Sequence, residues 1–384
     1  MDILIAGVSA RAMVESAVRS GLNHRIVAAD YFGDFDLGLL CAHRSVKKSL
    51  SLAYDPHHLI TASLDLTWDS LIYTANLENY PAVIETMAGT KPILGNSPAA
   101  LVSVRDPAKF FEFLSQSGIP GPRITFNSTS IIRNSPTRWL RKPLRSGGGH
   151  GIAAHLPGDR LEPGFFLQEY LDGLPCSAVF AADGWDACLL GISEQLIGRT
   201  EFGVDGFRYC GSILGAMGAG RGEWSGLVKS MQQVVGAITR EFHLVGINGI
   251  DFILKDETVY PLEVNPRYTA SMELVERAYG LNIFKTHLEA CQGRLSDFDL
   301  LSNPDGGCFG KAILFASRDL IFRDPRCWFD RGVRDLPLEG ECIAQGKPIC
   351  TVFSQGHSRS ECVDRLTHTA ADIELTCLHA TTPI

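Results

Sequence analysis

The sequence predicts a mixed α/β and α+β chain of three parts. These are a parallel α/β domain over residues 1–95, a larger α+β domain over 96–295 with a subdomain at about 122–166, and a small strand-rich domain over 296–384. Three observations predict it. Strand-like and helix-like stretches alternate from Ile3 to Asp30, as they do where crossover helices join parallel strands. Two apolar runs, Gly249–Leu254 and Val259–Val264, flank the polar turn Lys255-Asp256-Glu257-Thr258 and read as a hairpin. The last part is broken at Asp335-Leu336-Pro337 and Gly346-Lys347-Pro348, the punctuation of short strands.

With 384 residues, 45% of them hydrophobic and 20% charged, the chain can bury ample core. A net charge of −8 excludes an extended nucleic-acid surface while allowing a local basic pocket, so small-molecule partners are expected. No apolar run approaches the roughly 18 residues that span a bilayer. Met1 leads directly into a strand without a basic leader, which sets the expectation of a cytoplasmic location. Eleven scattered cysteines include no C-x-x-C pair and read as buried thiols rather than as zinc ligands or a disulfide framework.

In order, Ile3–Gly7 is a strand, Arg11–Ser20 a helix and Ile26–Asp30 a strand, a Rossmann-like start. The turn Gly7-Val8-Ser9-Ala10-Arg11-Ala12 lacks G-x-G-x-x-G, so a dinucleotide site gains little support even with Asp30 at the ribose position. A further strand, Ser70–Thr74, precedes Glu78-Asn79, and Pro92–Asn96 closes the domain. Open α/β sheets bind ligands beyond their carboxyl strand ends. Ser9, Arg11, Glu78 and Asn79 are therefore candidate substrate contacts, although Asn79 could equally end its strand in a turn.

The helix Pro107–Gln116 is stopped by Gly118-Ile119-Pro120-Gly121-Pro122. A cationic strand, Arg138–Leu144, then enters Arg145-Ser146-Gly147-Gly148-Gly149-His150-Gly151. Glycines let backbone amides turn toward an anion, and with Arg141, Lys142 and Arg145 in attendance the loop reads as a phosphate cradle rather than an exposed tip. The strand Phe165–Gln168 runs into Glu169-Tyr170-Leu171, whose main chain could meet the edge of a base. Cys176–Ala182 is another strand, Ser225–Phe242 an amphipathic helix expected behind the hairpin, and Met272–Gly280 and Ile283–Gly293 two more helices.

The hairpin carries the chemistry. Asp251 and Glu263 point to one face when in register, and Asn265, two residues on, shares Glu263's side. Mg²⁺ takes oxygen ligands, keeps waters and completes its octahedron with phosphate oxygens, so two carboxylates and an amide suffice. Arg267 could then grip a phosphate or carboxylate through its fork.

Together the α/β start, the Gly118-Ile119-Pro120 junction, Lys142 before the glycine loop, Gln168-Glu169-Tyr170-Leu171, and Asp251 with Glu263-x-Asn265-x-Arg267 resemble the ATP-grasp superfamily over about residues 1–295. The likeness implies a pre-ATP-grasp domain, two subdomains closing on ATP, and Mg²⁺ or Mn²⁺. It places Lys142 on the phosphates and Gly147, Gly148 and Gly149 in the lid. Gln168, Glu169, Tyr170 and Leu171 fall at the base, with main-chain groups of Glu169 and Leu171 reaching it. Asp251, Glu263 and Asn265 fall on the metal, and Arg267 beside the transferred phosphate or the substrate carboxylate, which makes Lys142 and Arg267 the catalytic cations. In two respects the sequence departs from the family. Its earlier lysine falls on Pro107, leaving Arg105 or Lys109 as substitutes, and no residue matches the ribose carboxylate, Asp172 coming too early. The whole pattern, including Gly340–Val352, is similar to carboligase-related, biotin-carboxylase-like members, some of which accompany one-carbon coenzyme biosynthesis. The implied activity is an ATP-dependent carboxylate–amine ligase forming an amide through an acyl phosphate, acting on a small carboxylate and an amine, with a homodimer as the candidate assembly. Carboxylation through carboxyphosphate, and nucleotide binding without turnover, stay open.

Overall fold

Four short strands open the chain in a parallel sheet: β1 (Asp2–Gly7), β2 (Arg25–Asp30), β3 (Ala42–Ser45) and β4 (Ser70–Tyr73), in the order β3-β2-β1-β4. This is a computed structural model, and it describes residues 1–128, 137–215, 221–302 and 307–379; part of the subdomain expected at 122–166 lies outside them. Ile3, Leu4 and Ile5 are fully buried, as strands covered on both faces require. The order reverses between β1 and β4, so a ligand crevice belongs where the turns after Gly7 and Tyr73 meet. Buried Asp30 accepts from the amides of Gly33 and Ala10, at 2.9 and 3.5 Å, which uses the carboxylate that a ribose would need.

Strands β5 (Ile124–Thr125), β6 (Trp139–Pro143), β7 (Ala153–His155) and β8 (Phe165–Glu169) form a separate antiparallel sheet, β5-β8-β6-β7, that carries the glycine loop. The central sheet contains β9 (Leu174–Asp183), β10 (Ala187–Ile197), β11 (Tyr209–Leu214), β12 (Val245–Lys255), β13 (Thr258–Asn265) and β14 (Cys308–Phe315). A two-stranded ribbon of β15 (Leu320–Ile321) and β16 (Cys342–Ile343) precedes β17 (Pro348–Gly356), which completes the central sheet in the order β13-β12-β9-β10-β11-β14-β17. Helix Arg221–Phe242 packs Met231, Val235 and Ile238 with Phe180, Ile250 and Phe252 of the sheet, as its apolar stripe predicts. The opposite face meets helices Met272–Tyr279 and Ile283–Cys291, whose Leu274, Val275 and Phe284 share a core with Ile3, Ile5 and Met13 of the first domain.

The last ninety or so residues thus add β14 and β17 to the common sheet. They also supply a helix, Arg359–His379, that the strand-rich expectation for this part does not include. Its buried Cys362, Leu366, Ala370 and Ile373 make a helical stripe, diluted by the polar residues between them.

Candidate active site

The hairpin β12–β13 turns on Asp256-Glu257, both in the left-handed region (φ 48° and 60°), as a two-residue connection between twisted strands requires. This turn pairs Lys255 with Thr258 and sets the register of the two strands: Asp251 lies opposite Glu263 and Gly249 opposite Asn265, with a bulge between Asp251 and Phe252. A slip of one residue would send both carboxylates to the other face.

Cations converge on this pair from three directions. Arg105 Nη1 donates to Glu263 Oε2 at 3.2 Å and to the Val264 carbonyl at 3.0 Å. Lys142, on β6, bonds Gln168 Oε1 at 3.2 Å and lies close enough to influence both carboxylates. Arg267 Nη2 reaches Asn265 Oδ1 at 3.2 Å, and Asn265 Nδ2 donates to Asp251 Oδ2 at 3.0 Å. Gln195, from β10, donates to Asp251 Oδ1 at 2.9 Å. Burial and the charge of Glu263 push the Asp251 carboxyl up to about 7. On Glu263 burial also acts upward, but Arg105 and Lys142 outweigh it and hold the group below its ordinary value. Two facing carboxylates, one resisting ionisation because of the other, fit a divalent cation that would relieve the repulsion. Among the described residues no cluster of three His, Cys, Asp or Glu side chains forms, so Asn265, water and phosphate oxygens would have to complete the shell of such an ion.

The other expected contacts divide. Glu78 and Asn79, in a short helical turn after β4, come to the cleft: Glu78 pairs with Arg267, and Asn79 accepts from Arg105 Nη2 at 3.0 Å and donates to the Ser146 carbonyl at 3.4 Å. Ser9 is placed at the same strand edge, its carbonyl accepting from Thr74 Oγ1 at 3.1 Å. Arg11 does not come to the cleft. It is fully buried against Glu15, Asp36, Glu273 and Asp335, so the expectation of a substrate contact there gives way to a structural one. Of the two cations flanking Pro107, Arg105 reaches the cleft, sharing Glu263 and Asn79, while Lys109 is exposed, and Pro107 itself starts its helix behind the Asp106 cap. Gln195 had no signal in the sequence, being the last of three consecutive polar residues, Ser193-Glu194-Gln195, on a strand.

In the glycine loop, Gly149 has φ +77° and an added Cβ would sit 1.9 Å from the Phe207 carbonyl oxygen, while Tyr209 N donates to the Gly148 carbonyl at 3.1 Å. The loop is therefore docked on the turn before β11, with Gly147 unobstructed beside it. Arg141, on the opposite side of β6 from Lys142, stacks on Phe165 at 4.7 Å, and Arg145 is exposed, so of the three loop cations Lys142 faces the carboxylates. At the hinge, the amides of Glu169 and Tyr170 donate to the carbonyls of Arg123 and Arg138, each at 2.8 Å, the Glu169 side chain pairs with Arg123, and the Tyr170 ring stacks on Arg138. Among the described residues the Leu171 amide has no such carbonyl partner. Arg105, Lys142, Phe166, Leu262 and Glu263 line a cavity of about 30 Å³, room for a water molecule beside the two cations.

Residues 104–271 match the family model described as an ATP-grasp domain. An uncharacterised protein of Methanocaldococcus jannaschii is 22% identical over 94% of this chain and 90% of its own. The carbamoyl phosphate synthase large chain of Thermoplasma volcanium is 24% identical over 62% of this chain, which spans 23% of that much longer protein. Among solved structures, a biotin carboxylase–β,γ-ATP complex from Campylobacter jejuni superposes with a TM-score of 0.72 at 13% identity, covering 97% of this chain and 91% of the other. An L-amino acid ligase from Bacillus licheniformis gives 0.66 at 16% identity, covering 97% of each. Residues 104–271 thus match an ATP-grasp domain, and the chain has the fold of the biotin carboxylases.

Proposed function

We propose that this protein is an ATP- and Mg²⁺-dependent ligase that joins a carboxylate to an amine. The observation that carries the reading is the convergence of Arg105, Lys142 and Arg267 on the facing carboxylates Asp251 and Glu263. Bound ATP with its metal would supply a phosphoryl group to the substrate carboxylate. The chain's own part is electrostatic and geometric. Asp251 and Glu263 hold the metal, Lys142 and Arg105 offset phosphate charge, and Arg267 sits where a substrate carboxylate must approach. The docked glycine loop excludes water, without which an acyl phosphate would be lost to hydrolysis. In the second step the amine nitrogen attacks the acyl carbon and phosphate leaves.

The likeness to an L-amino acid ligase over 97% of both chains supports amide formation, while the likeness to biotin carboxylase supports carboxylation through carboxyphosphate as the second reading. Arg105, which reaches Glu263, offers a cation in place of the lysine missing at Pro107 and so supports turnover over nucleotide binding alone. A role in one-carbon coenzyme biosynthesis is the narrowest form of the proposal and would appear as a coenzyme precursor among the productive substrates. ADP release with a matrix of acids and amines, read together with amide formation, tests the ligase. Release that depends on bicarbonate alone would favour carboxylation, and no release under any condition would remove both.

A further inference from the structure

Beyond β4 the chain turns through Thr74–Asn79 at the point where the strand order of the first domain reverses, and the carboxylate of Glu78 is left 1% exposed. Its Oε1 accepts from Arg267 Nε at 3.0 Å and Nη2 at 2.9 Å. Its Oε2 is enclosed and, among the described residues, has no hydrogen-bond partner. The two tyrosines that feel its charge donate elsewhere: Tyr73 to the carbonyls of Asn96 and Pro266, at 3.0 and 3.2 Å, and Tyr54 to Asn76 Oδ1. A buried carboxylate oxygen left without a donor is costly, and the cost is repaid where a ligand brings the donor.

Arg267 is spent in a complementary way. Nε and Nη2 go to Glu78 and Asn265, and Nη1 makes one bond, to the Tyr268 carbonyl at 3.0 Å, leaving one N–H of the five. The adjoining pair therefore presents one open acceptor and one open donor. The guanidinium that carries the open donor also bonds Asn265 through Nη2, and Asn265 in turn donates to Asp251, so a carboxylate held by Arg267 lies near the proposed metal pair, while the acceptor belongs to the first domain. Tyr31, Phe32 and Tyr54, half-buried and stacked edge to face at 5.0 and 5.4 Å, give the same strand edge an apolar wall suited to an organic ligand.

We infer that Glu78 and Arg267 together receive the zwitterion of an α-amino acid, Glu78 Oε2 accepting from the ammonium and Arg267 Nη1 donating to the carboxylate. The inference rests on the ligase reading and deepens it: the acid that is activated is an amino acid. Its carboxylate oxygen bonds to the γ-phosphorus as the bond from that phosphorus to ADP breaks, the electron pair leaving with ADP. The amine of the second substrate then forms the C–N bond, phosphate departs with the C–O pair, and the amine gives up a proton to solvent. Held by Glu78, the α-ammonium of the first substrate stays protonated and cannot compete as nucleophile.

Calorimetric binding in the presence of Mg-ADP tests this with L- and D-amino acids, each against the compound lacking only the α-amino group: alanine with propionate, leucine with 4-methylpentanoate, lysine with 6-aminohexanoate. At least one amino acid should bind about tenfold or more tightly than its partner. Glu78→Gln should erase that preference while leaving nucleotide affinity unchanged. Equal affinities within every pair, no binding by any amino acid, or a preference that survives Glu78→Gln would overturn the inference. Should the variant not fold, the wild-type pairs decide alone. ADP release with deamino acids as good as with amino acids would discard the inference and keep the ligase, whereas selective amino-acid binding without ADP release from any pair of substrates would do the reverse.

Discussion

Two of the buried groups of charges among the described residues are finished to different degrees. One ties the first domain to the rest: Arg11 gives Nε and Nη2 to Asp335 at 2.9 Å each, Nη1 to Glu15 and Glu273 at 2.8 and 2.5 Å, and Nη2 also to Glu273 at 3.2 Å. Lys311 closes the other side of Glu273, and the amides of Asp335 and Leu336 close Asp36. Every N–H of Arg11 is used, and its charge with that of Lys311 holds Glu273 well below the ordinary carboxylate range, although burial pushes the other way. Asp34 Oδ2 and Tyr268 Oη, on the flanks of this group, are exceptions, buried without a partner among the described residues. The cleft is the contrary case. Glu78 Oε2 and Arg105 Nε have no partner among the described residues, and Asp251 is poised near 7. Saturation marks the group that holds the protein together, and open valences mark the group that waits for something to bind.

Substitutions can break or sharpen this contrast. The largest effect is expected from Arg11→Met, which leaves Asp335 and Asp36 buried without their cation and Glu273 with Lys311 alone. A loss of about 3–5 kcal/mol in urea unfolding is expected, and a loss under 1 kcal/mol would show that the saturated network is not what binds the domains. Next comes Glu263→Gln, which at nearly constant volume removes the charge proposed to hold the metal. Turnover should fall by roughly 100-fold or more while the unfolding midpoint stays near wild type, and retained turnover would move the metal elsewhere. Arg105→Ala should weaken ATP binding about tenfold, measured by calorimetry, with Lys109→Ala unchanged. The reverse result would exchange their roles.

The smallest effect is one of pH. In metal-free protein Asp251 has a folded pKa of about 7, above the ordinary value of 3.8, so between these the folded state binds more protons and stability falls as pH rises. Asp251→Asn should therefore gain on wild type as pH climbs from about 4 to 7, and Mg²⁺ should restore wild type but not the variant. Parallel stability curves for the two proteins would contradict the assignment.

Much of this was legible where it is local. The hairpin from Gly249 to Asn265 follows from alternation and a polar turn, which fix which side chains share a face. Helix Pro107–Gln116 has both its stop signal and its Asp106 cap in the sequence. What could not be read is pairing across distance. Arg11 looks like a ligand contact because it comes after a glycine turn, but its partners lie 262 and 324 residues away. Gln195 becomes informative only once β9 lies between β10 and β12, so that Gln195 reaches across it to Asp251. Helix Arg359–His379 had a readable stripe, yet the nearby Gly-Pro punctuation pointed to strands.

Because β14 and β17 complete the central sheet, a chain cut near residue 300 would not release a self-sufficient nucleotide-binding module. The rim of β11 would be left bare, a row of unsatisfied amides and carbonyls ready to recruit another copy. Shortened versions of this protein should therefore be lost to clumping before their catalysis could be judged.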